Sequence, residues 1–152
     1  MATGDLTVFE EFADEIGEKI HALGSDTLTV GIINNTAAPT ASDATPRWGD
    51  YSANQISTGG GYTGPVDLTG STYTEAAGVA TLAANSFTIS QNGSGQGSVT
   101  AWGVLYNNTA TNDEAIAFIE LGTIDITAGD LVIKFNNVAS GSPGTVLTTT
   151  VS

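Results

Sequence analysis

The 152-residue chain contains no cysteine. That removes disulfides, thiolate metal sites and a sulfur nucleophile together, and leaves the fold to be held by packing in any redox compartment. Basic residues are almost as scarce: Lys19, Arg47 and Lys134 stand against sixteen acids, with His21 the single imidazole and a formal net charge of −13. Affinity for DNA or RNA comes largely from Lys and Arg neutralising phosphates, so no direct nucleic-acid partner is expected, and any charged partner should be basic. Long apolar runs are missing too. The stretch from Ala115 to Ile119 spans about five residues, against the roughly 18 needed to cross a bilayer, and no membrane partner is expected. The opening Met1-Ala2-Thr3-Gly4-Asp5 has neither a basic nor an apolar leader region, so Sec export is not expected.

What the chain does have is 40% hydrophobic residues set among runs of Thr, Ala, Gly, Asn and Ser. This is enough for one domain over residues 1–152. After a flexible arm at residues 1–5, the spacing of Phe9, Phe12, Ile16, Ile20 and Leu23 predicts an amphipathic α-helix over residues 6–23. Thr7 and Glu10 fit a capping box, acids crowd the N-terminal half, Lys19 and His21 lie near the C-terminal end, and Gly24 offers a left-handed stop. The helix is expected to pack as a lid over a sheet.

Beyond Gly24 the period changes from helical to two-residue alternation. Leu28, Val30 and Ile32 mark the first strand. Residues 34–61 form a long connection rich in turn residues, with one short strand expected over residues 51–56. Short strands are predicted over residues 66–68, 79–82 and 87–90, and stronger ones over 99–106, 115–121, 131–135 and 145–151. Seven or eight strands with polar turns and no second helix predict a mainly β fold: an antiparallel β-sandwich, jelly-roll-like, spanning residues 26–152.

No motif carries catalytic chemistry. Gly59, Gly61 and Gly64 satisfy G-x-G-x-x-G, but Pro65 and the polar residues 54–58 deny it the strand and helix that would aim amides at a pyrophosphate, so it reads as a flexible turn. His21 reads as a surface residue complementing a helix end rather than as a general base. Asp67, Glu75, Glu120 and Asp130 are scattered and define no glycosidase pair. Asp113-Glu114 and Asp125 with Asp130 lack regular calcium-loop spacing and read as solvated turn acids. Asn-x-Ser/Thr triplets begin at Asn34, Asn92 and Asn107, a frequency expected of this composition. No enzymatic activity, cofactor or metal is expected.

The aromatic residues are more informative. Trp102, Val104 and Tyr106 alternate on one face of a strand whose other face carries Val99, Ala101, Gly103 and Leu105, which predicts a central strand covered on both sides, by the N-terminal helix or by another subunit. Trp48, beside Arg47 in the long connection, has two readings: local packing, or a partner anchor.

Taken in order, Leu23-Gly24-Ser25-Asp26-Thr27, Gly60-Gly61-Tyr62-Thr63-Gly64, AWGVLYNNTATNDEAIAFIELG from Ala101 to Gly122, and ITAGDLVIKFNN from Ile126 to Asn137 resemble a group of small tailed-bacteriophage virion proteins. The motifs span nearly the whole chain, although Pro65 stands where a glycine-rich continuation is usual. The resemblance implies a capsid decoration, or cement, protein made in the host cytoplasm and added to the outside of the assembled head. It also implies a homotrimer that bridges neighbouring copies of a major capsid protein, and it marks the Trp102 to Leu121 hairpin as shared scaffold. Candidate contact residues are Ala2, Thr3, Gly4, Asp5 and Leu6 of the arm, and Pro39, Arg47, Trp48 and Tyr51 of the long connection. The alternative is a tail- or fibre-associated module that binds a host surface through aromatic and polar loops. A non-viral surface-layer domain is a more distant third reading.

Overall fold

A computed structural model describes residue 4 and residues 6–91, 99–126 and 129–150. The fold is mainly β with antiparallel sheets. Among the described residues there are ten strands: β1 (Leu6–Val8), β2 (Leu28–Ile33), β3 (Val66–Asp67), β4 (Thr72–Ala76), β5 (Val79–Asn85), β6 (Phe87–Ile89), β7 (Val99–Asn107), β8 (Ala115–Asp125), β9 (Leu131–Ile133) and β10 (Pro143–Thr150). They form a five-stranded sheet in the order β1-β8-β7-β2-β3, a three-stranded sheet β10-β5-β4, and the pair β6-β9. Two short helices, α1 (Phe12–Gly17) and α2 (Trp48–Tyr51), complete the frame with 3-10 turns at Ser52–Asn54 and Phe135–Asn137.

The five-stranded sheet is buried on both faces, as the two-sided apolar pattern of β7 predicts. On one face Val30 and Ile32 of β2, Leu105 of β7 and Ile119 of β8 share a core with Leu82 and Leu147 of the three-stranded sheet. On the other face Ile33, Val104, Tyr106 and Phe118 pack with Phe9, Trp48 and Tyr51. A register shift makes this possible in β8. Leu105 pairs with Ala117 and Tyr106 with Ala115, leaving Ile116 as an extra residue. The bulge turns Ile116 and Ala117 both toward the first core while Ala115 faces the second.

The expected helix over residues 6–23 is not formed. Leu6, Thr7 and Val8 instead pair with Ile119, Phe118 and Ala117 at the edge of the sheet. Phe9 and Phe12 then enter cores on opposite faces, so their three-residue spacing does not mark one helical side. Only Phe12–Gly17 is helical, and Ile16 on it is exposed. Thr7 therefore caps nothing at α1, whose N-cap position is Glu11. The stop falls at Lys19, which adopts φ 62°. There the Ile20 N–H bonds the Glu15 carbonyl at 2.9 Å and the Lys19 N–H bonds the Ile16 carbonyl at 3.2 Å, the paired bonds of a Schellman ending with lysine where glycine is usual. Nor does this helix cover the outer face of the sheet; that is done by the connection after β2.

Residues 51–56, expected as a strand, wind instead through the end of α2 and a 3-10 turn, and only Gln55 bridges Ile33. The Gly59 to Tyr62 segment is a turn closed by reciprocal main-chain bonds of 2.7 and 3.1 Å. Strands β1 and β4 have no counterpart in the expected set, and β8 extends four residues past Leu121.

Candidate functional site

The long connection is fastened at several points. Trp48 N–H donates to the Asp113 carbonyl at 2.9 Å, Ala115 N–H to the Pro46 carbonyl at 2.8 Å, and Ile56 N–H to the Ile32 carbonyl at 3.0 Å. These bonds lay the connection across the outer face of the sheet. Trp48 stacks on Tyr106 with ring centroids 5.2 Å apart and planes 4° from parallel. A Cβ on Gly31 would lie 2.2 Å from the Trp48 ring, so the bare glycine of β2 is what admits the indole. Phe9 stacks on Tyr51 at 6.2 Å and tilts against Phe118 at 5.0 Å.

The expected contact residues that lie among the described residues each have a definite place. Trp48, Tyr51 and Pro39 are buried, so their side chains serve the fold and are not presented to a partner. Arg47 is exposed at the N-cap of α2, its N–H held by Asp50 Oδ2 at 3.0 Å. Gly4 is exposed and its N–H bonds the Glu120 carbonyl at 2.6 Å, while Leu6 is half-buried in β1. Ala2, Thr3 and Asp5 lie outside the described residues, as does the Asn92 triplet.

Tyr51 ends in a small acidic knot. Its hydroxyl donates to Asp43 Oδ2 at 2.7 Å, and Thr40 offers Asp43 both its N–H and its hydroxyl. Burial works to raise the Asp43 carboxyl, but these hydrogen bonds outweigh it and hold the group below the usual aspartate range. The Tyr51 hydroxyl is driven well above its ordinary value, first by burial and then by Asp43. Burial also pushes the Tyr62 and Tyr106 hydroxyls up to about 12, with Asp113 and Asp67 adding to the effect at Tyr106.

A second polar cluster lies between the end of α1 and the β7–β8 turn, and composition alone gave no sign of it. His21, expected at the surface, is buried: Nε2 lies 2.8 Å from Glu15 Oε2 and Nδ1 3.2 Å from Asn107 Nδ2. Asn107 Oδ1 accepts from the N–H groups of Thr109 and Ala110, and its Nδ2 also reaches Asp26 Oδ2 at 2.6 Å. This pattern makes His21 Nδ1 an acceptor and places the ring proton on Nε2, donated to Glu15. Burial raises the Glu15 carboxyl despite that hydrogen bond. Glu114, in contrast, is lowered: burial opposes ionisation, but the Asn112 side chain and nearby Arg47 more than offset it. A pocket of about 440 Å³ opens beside this cluster, between Lys19-Ile20 and residues 109–112 with Glu114.

The chemistry available here is confined. The buried imidazole is engaged on both nitrogens, by Glu15 and Asn107, and among the described residues no hydroxyl is hydrogen-bonded to it. Among the described residues no group of three or more His, Asp or Glu side chains is placed to hold a metal ion. The scattered acids serve locally: Asp67 accepts from the Thr29 hydroxyl at 2.6 Å, Glu75 from Gly78 N–H at 2.7 Å and Asp130 from Gln91 N–H at 2.7 Å. Comparisons with protein-family models, curated proteins and solved structures return no match to this chain.

Proposed function

We propose that this chain is a non-enzymatic virion structural protein that decorates and stabilises the outside of a tailed-bacteriophage capsid. Its partner in this reading is the major capsid protein, and it acts as a homotrimer bridging neighbouring subunits. The observation that supports the reading is the placement of its longest resembling segment: residues 101–122 form the β7–β8 hairpin at the middle of the five-stranded sheet, the scaffold role that the resemblance implies. In this proposal the five- and three-stranded sheets are the layers of a β-sandwich with jelly-roll-like character. The polar groups with the most chemical potential, Glu15 and His21, are bonded to each other inside it.

With Trp48, Tyr51 and Pro39 buried, the proposed shell contact narrows to the exposed Arg47 and the segment around Gly4 and Leu6. Many weak copies of such a contact add up on a symmetric shell. The fibre-module reading needs exposed aromatic side chains in the long connection, and Trp48 and Tyr51 do not provide them. Immunogold electron microscopy of particles, with antibody against this chain, tests the proposal. Label spread over full heads is the expected result; label confined to tails, or absent from particles, overturns it.

A further inference from the structure

We propose that the outer edge of β4 docks an extended, basic peptide segment of a partner protein, which adds as a fourth strand to the β10-β5-β4 sheet. This edge is independent of the shell contact proposed above and holds for any partner of that chemistry.

The hairpin geometry identifies which groups are offered. Strands β4 and β5 are joined through Ala77 (φ 54°) and Gly78 (φ 80°), the two left-handed residues of a type I′ turn. The closing pair of such a turn, Ala76 and Val79, exchanges both of its hydrogen bonds. Because bonded and unbonded pairs alternate in an antiparallel ladder, Thr74 and Thr72 also bond inward, and the N–H and C=O groups of Tyr73 and Glu75 turn outward. Among the described residues no further strand lies beside β4, and no main-chain group meets Tyr73 or Glu75 from outside. All five residues of β4 are exposed.

Other edges in the molecule are protected in ways that β4 is not. Strands β1, β3, β6 and β9 have three residues or fewer. Strand β10 begins at Pro143, has a register shift between Thr145 and Leu147, and at Gly144 lies against the Phe135 main chain. Strand β4 is five residues long, regular against β5, and free of proline and lysine. Natural sheets blunt such an edge unless it is used.

Charge selects the occupant. The chain carries −13, its three basic residues are all outside β4, β5 and β10, and Glu75 is the one charged residue on those strands. Glu75 shares a sheet face with Tyr73, whose hydroxyl reaches inward across β5 to lie 3.3 Å from the Thr149 hydroxyl of β10, so Glu75 is the side chain of that face that charges the outer edge. A second copy would bring −13 against −13, whereas a lysine- or arginine-bearing strand is attracted to the same edge.

The test uses the full chain and a ten-residue peptide of alternating lysine and valine, with amide hydrogen exchange followed by NMR. The peptide should slow exchange at Tyr73 and Glu75 by at least tenfold and leave Thr74 little changed. A glutamate–valine peptide should have no such effect. Glu75→Pro, which removes one outward N–H, should abolish the protection without changing the sheet core; Glu75→Lys keeps the edge and should weaken the lysine peptide at least tenfold. The proposal is overturned by absence of protection at millimolar peptide, by equal protection from the acidic peptide, or by protection that appears with protein concentration alone, which would make a second copy the occupant.

Discussion

The Trp48 ring lies flat on Tyr106, 5.2 Å between centroids and 4° from parallel, and its far edge fills the space that a side chain at position 31 would occupy. A residue of the long connection and one of the central strand thereby close the second face of the five-stranded sheet. The ring is 9% exposed, so its removal leaves a cavity. Trp48→Ala should cost about 3–5 kcal/mol in urea unfolding. Gly31→Ala should cost about 1–3 kcal/mol through overpacking. Because both act on one contact, the double variant should cost less than the sum. Additive costs would show that Trp48 does not rest on Gly31 in solution.

The cluster of Glu15, His21, Asn107 and Asp26 ties the end of α1 to the turn after β7. Asn107→Leu removes the acceptor for two N–H groups and the donor to Asp26 and His21. It should destabilise by roughly 2–4 kcal/mol, since buried groups left without partners lose their full desolvation cost. Glu15 adds a pH signature. Burial raises its carboxyl above the ordinary value of 4.5, with Glu114 and Glu11 contributing. Its stabilising contribution is therefore fully present below pH 4.5 and is lost as pH rises through the raised value. Thermal melts across that window should show Glu15→Gln gaining on wild type as pH rises; a constant difference would place the Glu15 carboxyl in an unperturbed environment.

Strands β2, β7 and β8 were legible in the sequence because their apolar residues alternate and both faces are buried by local necessity. The N-terminal segment was misleading for a physical reason. Phe9 and Phe12 begin a run of helical spacing, yet they enter two separate cores, while residues 6–8 of the expected helix form an edge strand whose pairing with β8 overrides the local period. Strand β4 carries no apolar face at all, so periodicity could not reveal it. His21 looked like a surface residue because its partner Asn107 lies 86 positions away. The fate of Trp48 likewise depended on a glycine and a tyrosine distant in sequence. Only the Asn107-Asn108-Thr109 turn, with polar residues following a two-sided apolar strand, carried a hint of the buried cluster.

Asp43 gives the opposite pH behaviour to Glu15. Hydrogen bonds from Thr40 and Tyr51 overcome burial and lower its carboxyl below the ordinary 3.8. Its contribution is thus present above that value and is lost as pH falls through the lowered one. Wild type should exceed Asp43→Asn in melting temperature at neutral pH, and the gap should narrow as pH drops from about 4 toward 2. A gap unchanged over that range would assign the effect to shape rather than ionisation.

Lys19 ends α1 in a left-handed conformation with φ 62°, where a β-carbon crowds the following carbonyl and costs roughly 1–2 kcal/mol. The Ile20-to-Glu15 and Lys19-to-Ile16 main-chain bonds hold it there, and its side chain forms no salt bridge among the described residues. Lys19→Gly should therefore stabilise the protein by about 0.5–1 kcal/mol, the relief of strain being partly offset by the greater freedom of glycine in the unfolded chain. Lys19→Ala, which keeps the β-carbon, should leave stability within about 0.5 kcal/mol of wild type. Chemical denaturation of the two variants side by side separates backbone strain from loss of the ammonium group: equal effects would attribute the change to charge, whereas a gain confined to glycine establishes the left-handed ending as the cause.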